Sequence, residues 1–273
     1  MTGTLVSVAP TGAETPKDKA PGLPVTLDEL VATAKDCEAA GAAVVHVHLR
    51  DADGNSSLDP GALREAVQAL RESTDLVVQL STGGAVTDPE GARLAVVDAG
   101  PDAASLTCGT VNFGDDVFLN RPAFVEALYT RMQDNGVVPE FECFEPGHLA
   151  TVERLVAKHG PPHGGHVHVD LVMGVPGGMP GTAQMLAACV AMLPEGATFS
   201  ATGVGRTALP VMLAALAHGG HLRVGMEDTL TFAKGQPVTD NRMLVERAAT
   251  LANLAQRPPL STREARALLG ISA

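Results

Sequence analysis

The segment Val45-His46-Val47-His48 ends an apolar run with two histidines that are separated by one residue. Alternate residues of a β-strand point to the same side, so both imidazoles would project in one direction. Two imidazoles in this arrangement suit a divalent metal, zinc first. The other interpretation is a pair of hydrogen-bonded histidines in a protein core, and the motif alone leaves both open.

A third metal ligand is needed, because catalytic zinc usually has three protein ligands and one open position. The segment from His221 to Asp228 contains Arg223 and ends in two adjacent carboxylates, Glu227 and Asp228. In a closed barrel the last strand lies beside the first, so Glu227 would reach the two histidines. Alternatively, these carboxylates only cap a helix or pair with surface cations.

A competing group of metal-binding residues occurs at His166, His168 and Asp170, which also alternate along an apolar run. This strand continues to Met173 before it reaches its glycine-rich exit loop. The three side chains would therefore lie near the middle or bottom of a barrel, where a structural role is favoured.

Polar side chains and glycines recur at the predicted ends of several other strands. Polar groups at the same end of many strands are typical of a barrel active site, and glycines allow the backbone to approach a ligand closely. Structural hydroxyls, solvated acids and tight turns are the alternative interpretation. The residues concerned are Glu14, Ser81, Thr82, Gly83, Gly84, Ser105, Thr107, Glu142, Gly174 to Gly178 and Gly203 to Arg206.

The elements that must position these side chains follow a regular pattern. Short β-rich runs alternate with longer segments of helical periodicity, and turn residues separate most of them. The predicted strands are Leu5 to Ala9, Ala43 to His48, Leu76 to Leu80, Ala103 to Thr107, Val137 to Cys143, His166 to Met173, Thr198 to Thr202 and His221 to Val224. Capping boxes are predicted at Thr26 and Ser261, caps before a proline at Asp59 and Asp88, and helix stops at Gly41, Gly136 and Gly196.

The alternation predicts an α/β protein. About eight βα units in 273 residues favour a (β/α)8 TIM barrel, with a last helix from about Thr239 to Gln256 and a C-terminal helical arm after it. Length alone is compatible with one domain or two. A doubly wound open sheet is the alternative fold, but neither G-x-G-x-x-G after the first strand nor a P-loop motif occurs.

The composition disfavours several classes of function. Of all residues 45% are hydrophobic and 18% charged, which is enough apolar material for a large core. The net charge of −12 would repel nucleic acids and anionic lipids, and only 3% of residues are aromatic. We therefore expect neither a nucleic-acid partner nor a membrane partner.

The four cysteines, Cys37, Cys108, Cys143 and Cys189, form no C-x-x-C pair. This spacing predicts neither a thiolate metal cluster nor a disulfide framework, and it favours a reducing cytoplasm. No run is long or apolar enough to predict a signal peptide or a membrane span.

Beyond these motifs, the chain resembles the β-keto acid cleavage enzymes. The resemblance covers essentially the whole chain, which implies a single domain over residues 1–273. It rests on stretches that follow in order: Thr11 to Thr15, Val45 to Asp51, Ser81 to Gly84, Gly109 to Asp116, Gly174 to Gly178, Gly203 to Arg206 and Gly219 to Asp228.

The resemblance implies a zinc-dependent barrel that condenses a β-keto acid with acetyl-CoA, giving acetoacetate and the CoA ester of the remaining acyl part. It also implies a homotetramer. In this sequence the implied zinc ligands are His46, His48 and Glu227. The implied catalytic groups are Asp228, Arg223, Ser81 and Glu142, with Asp228 as base and Glu142 as the alternative base. Substrate contacts are expected at Glu14, Ser81, Thr82, Gly83, Ser105 and Thr107.

Two departures from the family pattern leave the substrate open. Asp170 stands where an uncharged polar residue is expected, and Thr107 where asparagine is expected.

Because Glu14 and Glu142 are both expected at the barrel mouth, we expect an acidic far end of the pocket that prefers β-keto acids with a cationic tail.

A metal hydrolase of the amidohydrolase type is the alternative function, since it also uses a barrel and an H-x-H motif. That interpretation requires two further metal-binding histidines at strand ends and a late aspartate ligand. A barrel that only binds a ligand is a third interpretation.

Overall fold

Eight parallel strands close into a barrel, and the computed structural model describes residues 3–272 of the chain. The barrel strands are β1 (Val6–Val8), β2 (Val44–Val47), β3 (Val77–Leu80), β4 (Ala103–Thr107), β5 (Val138–Cys143), β6 (His168–Met173), β7 (Thr198–Gly203) and β8 (His221–Val224). Each strand pairs in parallel with its neighbours along the chain, and β1 pairs with both β2 and β8. The predicted TIM barrel is therefore confirmed, and the open sheet is excluded.

All eight predicted strands are present, and the two strands from Ala103 and His221 have the predicted ends. The predicted ends at Leu80, Cys143, Met173 and Thr198 are also confirmed. The remaining ends differ by one or two residues, mostly because flanking residues of similar composition are not paired with the neighbouring strand. His166 is one of them, since it precedes the first residue of β6.

Helices surround the barrel, mostly one after each strand. They are α1 (Leu27–Ala40), α2 (Pro60–Ser73), α3 (Glu90–Ala95), α4 (Pro122–Asn135), α5 (Pro146–His159), α6 (Ala183–Val190), α7 (Ala208–Ala217), α8 (Asn241–Leu254) and α9 (Thr262–Leu269). Short 3-10 turns cover Val96–Ala99 and Gly205–Thr207. Of the helices in the described part of the chain, none combines the length and the apolar character that crossing a bilayer requires.

Most predicted helix boundaries are confirmed. Both capping boxes form, Asp59 caps α2 through the Ala62 N–H, and Gly41 and Gly136 end their helices in the left-handed conformation. Two expectations are wrong. The Asp88 carboxylate does not cap α3, because it accepts hydrogen bonds from the Ala85 N–H and the Ser56 hydroxyl. Gly196 does not end a helix, because α6 already ends at Val190 and Gly196 lies in a later turn.

Three small hairpins at the carboxyl end of the barrel were not predicted. They pair Leu49–Arg50 with Ser56–Ser57, Val111–Phe113 with Asp116–Phe118, and Thr231–Ala233 with Gln236–Pro237. Each turn contains a glycine with positive φ, at Gly54, Gly114 and Gly235. The strands are only two or three residues long, too short to show an alternating pattern in the sequence.

The predicted C-terminal helix is present as α9 and folds back on its own barrel. Its residues Ala265, Leu268 and Leu269 are buried in an apolar cluster with Leu5, Ala43, Val44, Val77, Ala103 and Val138, which lie at or just before the amino ends of their strands. Helix α9 therefore closes the amino end of the barrel. The opposite end, where the hairpins stand, is left for a site.

Candidate active site

The two histidines of the H-x-H motif lie at the carboxyl end of β2, with their ring centres 5.3 Å apart. Glu227 follows β8 and faces both. Its Oε1 is 3.4 Å from His48 Nε2 and 3.9 Å from His46 Nε2. The adjacency of β8, β1 and β2 thus brings together the three side chains expected from the sequence.

These three side chains fit a divalent metal. One ligand atom of each lies within 4.8 Å of the other two, and residues 3–272 contain no other group of three such side chains. Ligands about 2.0–2.2 Å from a tetrahedral zinc are roughly 3.4 Å apart, and two histidines with a glutamate form a known catalytic donor set. In addition, Glu227 Oε2 is buried without a hydrogen-bond partner, as expected of an atom whose partner is a cation.

Gln79 fixes the orientation of His46, and the sequence analysis did not identify it. Its Oε1 is 2.5 Å from His46 Nδ1, and β2 and β3 place the two residues side by side. An amide oxygen can only accept, so Nδ1 carries the proton and Nε2 keeps a lone pair toward Glu227. Burial also lowers the pKa of His46 to about 3, with a further contribution from Arg223, which favours the neutral ligand form.

Arg223 is the centre of the buried charge network. One guanidinium bonds to three carboxylates: NH1 lies 3.0 Å from Glu142 Oε1, while NH2 lies 2.6 Å from Glu227 Oε1 and 3.1 Å from Asp228 Oδ1. Burial alone would lower the Arg223 pKa, but Asp228, Glu227 and Glu142 outweigh it and raise that pKa well above its usual value. The guanidinium stays charged and holds all three carboxylates in place.

Asp228 has the properties of a general base. It lines the cavity and is buried, and burial raises its pKa to about 7 even though Arg223 opposes the shift. A carboxylate with a pKa near neutrality takes up a proton more readily than an ordinary aspartate. By contrast, Arg223 holds the pKa of the neighbouring Glu227 well below its usual value against the effect of burial, so Glu227 stays ionised.

Glu142 lines the cavity from β5, and both of its oxygens are engaged. Oε1 bonds to Arg223, and Oε2 accepts a hydrogen bond from the Thr107 hydroxyl at 3.0 Å. This geometry makes Glu142 a positioning partner of Arg223.

The polar residues after β3 and on β4 divide into two groups. Ser81 and Gly83 line the cavity, and the Gly83 N–H donates to Ser81 Oγ at 3.2 Å. Thr82, Ser105 and Thr107 lie behind this lining; the first two bond to each other, with the Thr82 hydroxyl 2.8 Å from the Ser105 carbonyl. The structure does not bring these three residues to the cavity surface, and their contact with substrate stays a prediction.

Glu14 lies at the exposed rim of the cavity, on the loop after β1. Gly12 of this loop has φ of +65°, and a Cβ on it would lie 2.7 Å from the Glu227 Cγ, so only glycine allows so close an approach. Arg50 ties the loop down by donating to the Gly12 carbonyl at 2.8 Å and the Thr15 carbonyl at 3.1 Å. Arg50 is a second residue whose role the sequence analysis missed.

The second histidine group has the structural role predicted for it. His168 bonds to the hydroxyls of Thr198 at 2.8 Å and Ser200 at 2.9 Å, and His166 bonds to the same Thr198 hydroxyl. Asp170 accepts a hydrogen bond from the Thr202 hydroxyl at 2.7 Å. Both histidines are hydrogen-bonded, Asp170 keeps one buried oxygen without a partner, and none of the three side chains lines the cavity.

A cavity of about 270 Å³ opens at the carboxyl end of the barrel, and its two sides differ. The side formed by β8, β1 and β2 carries His46, His48, Arg223, Glu227 and Asp228. The opposite side, formed on or beyond β3 to β7, carries Ser81 and Glu142 but is mostly apolar. Its apolar residues are Val86, Phe113, Phe118, Phe144, Val172, Val175, Pro176 and Val204. Apolar side chains thus predominate opposite the metal ligands, and the expected acidic far end stays a prediction.

Comparisons with known proteins identify the family. The sequence profile for "beta-keto acid cleavage enzyme" matches residues 4–271. The chain belongs to the β-keto acid cleavage enzyme family.

Members of this family align along almost the full chain. The 3-keto-5-aminohexanoate cleavage enzyme of Acetoanaerobium sticklandii is 37% identical, over 98% of this chain and 98% of its own length. The 3-oxoadipate:acetyl-CoA acetyltransferase of Cupriavidus necator is 33% identical, over 98% of this chain and 94% of its own length. The apo structure of ObcA superposes with a TM-score of 0.78 at 20% identity, over 93% of this chain and 66% of that chain, which shows the shared fold alone.

The amidohydrolase alternative finds no support. The family match assigns the chain to the β-keto acid cleavage enzymes. In addition, residues 3–272 supply only two histidines to the candidate metal group, whereas the amidohydrolase interpretation requires two more. The family match identifies the chain as an enzyme, and one of the relatives named above is an acetyl-CoA-dependent acetyltransferase.

Replacing Gln79 by leucine should weaken divalent-metal binding about 10- to 100-fold, because His46 loses the acceptor that fixes its tautomer. Competition with a chromophoric chelator measures the affinity. Gln68→Leu, an exposed glutamine-to-leucine change on α2, is the matched control and should bind metal as the wild type does. Unchanged affinity in Gln79→Leu would show that the hydrogen bond does not orient the ligand.

Proposed function

We propose that this enzyme condenses a β-keto acid with acetyl-CoA and releases acetoacetate together with the CoA ester of the remaining acyl part. For a β-keto acid with tail R, R–CO–CH2–COO⁻ and CH3–CO–SCoA give R–CO–SCoA and CH3–CO–CH2–COO⁻. The relatives support this reaction, since they are named for cleavage of a β-keto acid or for transfer that uses acetyl-CoA. The observation that carries it is Asp228, buried beside a group of metal ligands at the bottom of the cavity.

The proposed metal is zinc, held by His46, His48 and Glu227. When bound there, it would act as a Lewis acid on the keto oxygen and so increase the acidity of the adjacent methylene. The support is the donor set, the 3.4 Å separation of His48 Nε2 from Glu227 Oε1, and the buried Glu227 Oε2 without a partner.

Asp228 removes a proton from the methylene between the keto and carboxylate groups. Its raised pKa suits this step, and Arg223 holds the carboxylate in position with bonds from Nε and NH2. The methylene carbon then forms a bond to the acetyl carbon, and the carbon–sulfur bond of acetyl-CoA breaks. The released thiolate attacks the original keto carbon, the bond from that carbon to the methylene breaks, and the proton returns to the acetoacetate carbon.

Ser81 lines the cavity and is proposed to bind a substrate oxygen, with Gly83 beside it and Glu14 as the carboxylate at the rim. Ser81 offers a hydroxyl proton because its oxygen already accepts the Gly83 N–H. These roles agree with the positions that the family resemblance implies.

We also propose the homotetramer that the family resemblance implies. Two leucines on the outer face of α7, Leu209 and Leu213, are 40% and 49% exposed, and oligomerisation would remove them from water. Light scattering should give four times the chain mass of 28.0 kDa. A stable monomer with full activity would contradict this assembly. The cytoplasmic location stays a prediction.

His48→Ala should remove metal and activity together, because the remaining two ligands bind a divalent ion weakly. Elemental analysis after dialysis should show a zinc content far below that of the wild type. His218→Ala is the matched control, since His218 is an exposed histidine outside the site. Full zinc content in His48→Ala would move the metal site elsewhere.

Asp228→Asn should keep its zinc and its fold but lose about 10²- to 10⁴-fold in kcat, because an amide cannot accept the methylene proton. Acetoacetate release with saturating acetyl-CoA measures kcat, and Asp115→Asn on an exposed hairpin turn controls for the same chemical change. Turnover near the wild-type rate would rule out Asp228 as the base.

A further inference from the structure

The apolar side of the cavity is a built surface. We define the apolar wall as Val86, Phe113, Phe118, Phe144, Val172 and Val175. Phe113 packs edge-to-face on Phe118 and Phe144, with ring centres 6.3 Å and 6.1 Å away. Phe118, Phe144, Val172 and Val175 form one buried cluster, against which Val86 and Phe113 pack.

Two loops hold the apolar wall in place. The hairpin turn after β4 donates the Gly114 N–H to the Pro176 carbonyl at 2.8 Å, which joins it to the loop after β6. A Cβ on Gly177 would lie 2.7 Å from the Asn112 Cβ, so the two loops are packed as closely as a glycine permits. The apolar wall is therefore a fixed surface that a ligand meets already formed.

We propose that the tail of the β-keto acid, the part that leaves as the CoA ester, is an uncharged apolar group that packs against the apolar wall. This inference rests on the proposed function, because it places the keto acid head at Asp228 and the metal ligands. The head then occupies the polar side, and the tail extends across the cavity to the opposite side.

Charge in the cavity supports an uncharged tail. Among the lining residues of the described chain, Arg223 is the only lysine or arginine, and it already bonds to three carboxylates. A carboxylate tail at the apolar wall would lose its hydration without gaining a cation. A cationic tail would find one lining carboxylate that has no bond to arginine. This is Glu14, which lies at the exposed rim on the same loop as Gly12, away from the apolar wall.

Sequence similarity to the named relatives does not indicate which substrate tail this enzyme accepts. The relative at 37% identity is named for an amino-bearing acid, and the one at 33% for a dicarboxylic acid. Similar sequences in this family thus act on tails of opposite charge, and the lining of each cavity must determine the preference.

Coenzyme A fits the apolar wall less well than the tail does. Its long polar arm must extend into solvent, whereas Phe118, Phe144, Val172 and Val175 are buried and close the cavity on their side. A closed apolar surface suits a group that ends inside the cavity. The cavity volume of about 270 Å³ also favours a short acid.

Three β-keto acids with six carbons test the tail directly: 3-oxohexanoate, 3-keto-5-aminohexanoate and 3-oxoadipate, which have an apolar, a cationic and an anionic tail. With zinc-loaded enzyme and fixed acetyl-CoA, kcat/KM for 3-oxohexanoate should exceed the other two by about tenfold or more. Shortening the apolar acid to 3-oxopentanoate should lower kcat/KM about fourfold, as expected for one buried methylene. A higher kcat/KM for either charged acid would overturn the proposal.

Phe113→Asp adds a negative charge to the apolar wall and should lower kcat/KM for 3-oxohexanoate. The ratio of kcat/KM for 3-keto-5-aminohexanoate to that for 3-oxohexanoate should rise. Val117→Asp is the matched control, because Val117 lies on the same hairpin, is 48% exposed and does not line the cavity. Phe113→Leu keeps an apolar side chain and should keep the ranking of tails. If Phe113→Asp instead raises only the KM for acetyl-CoA and leaves the ranking unchanged, the apolar wall binds the coenzyme and the proposal is wrong.

Acetoacetate release tests the proposed reaction, and binding of the acids alone tests the apolar tail. If none of the acids yields acetoacetate, the reaction is wrong, and calorimetry of the same acids without acetyl-CoA still measures the preference of the cavity. Tighter binding of 3-oxohexanoate than of the charged acids then supports the apolar tail, and tighter binding of a charged acid overturns it.

Discussion

One buried guanidinium organises this site. Arg223 is held inside the barrel by Glu142, Glu227 and Asp228, and it fixes where each of these carboxylates points. Removing one member of a buried ion group leaves a charge without compensation, which typically costs about 3–5 kcal/mol. The metal ligand Glu227 and the proposed base Asp228 are adjacent in sequence, yet burial and Arg223 give them different protonation, with Glu227 ionised and the pKa of Asp228 raised to about 7.

The closed barrel makes this arrangement possible. Only closure brings β8 next to β1 and hence near β2, so that Glu227 meets His46 and His48. Helix α9 covers the amino end of the barrel, which leaves the charged groups a single opening at the carboxyl end. There the Gly12 loop, held by Arg50, supplies the rim, and the hairpin after β4 supplies Phe113 and Phe118 to the apolar wall.

The sequence predicts the scaffold and the metal-ligand group well, because both follow from local patterns. Strand alternation orients His46 and His48, and the order of strands in a barrel brings Glu227 to them. Gln79 and the bond between Arg223 and Glu142 were not predicted, since they depend on which interior side chains meet across strands. The acidic far end was predicted from residue types at strand ends. That prediction took no account of the bond between Glu142 and Arg223, or of the apolar residues on the opposite side, many of which lie on loops whose packing no periodicity reveals.

The fate of a label from acetyl-CoA tests the central claim most directly. Acetyl-CoA with ¹³C in both acetyl carbons is incubated with zinc-loaded enzyme and an unlabelled β-keto acid, and the products are read by NMR and mass spectrometry. We expect the label in the methyl and keto carbons of acetoacetate and no label in the new acyl-CoA. Label in the new acyl-CoA, or acetoacetate without label, would contradict it.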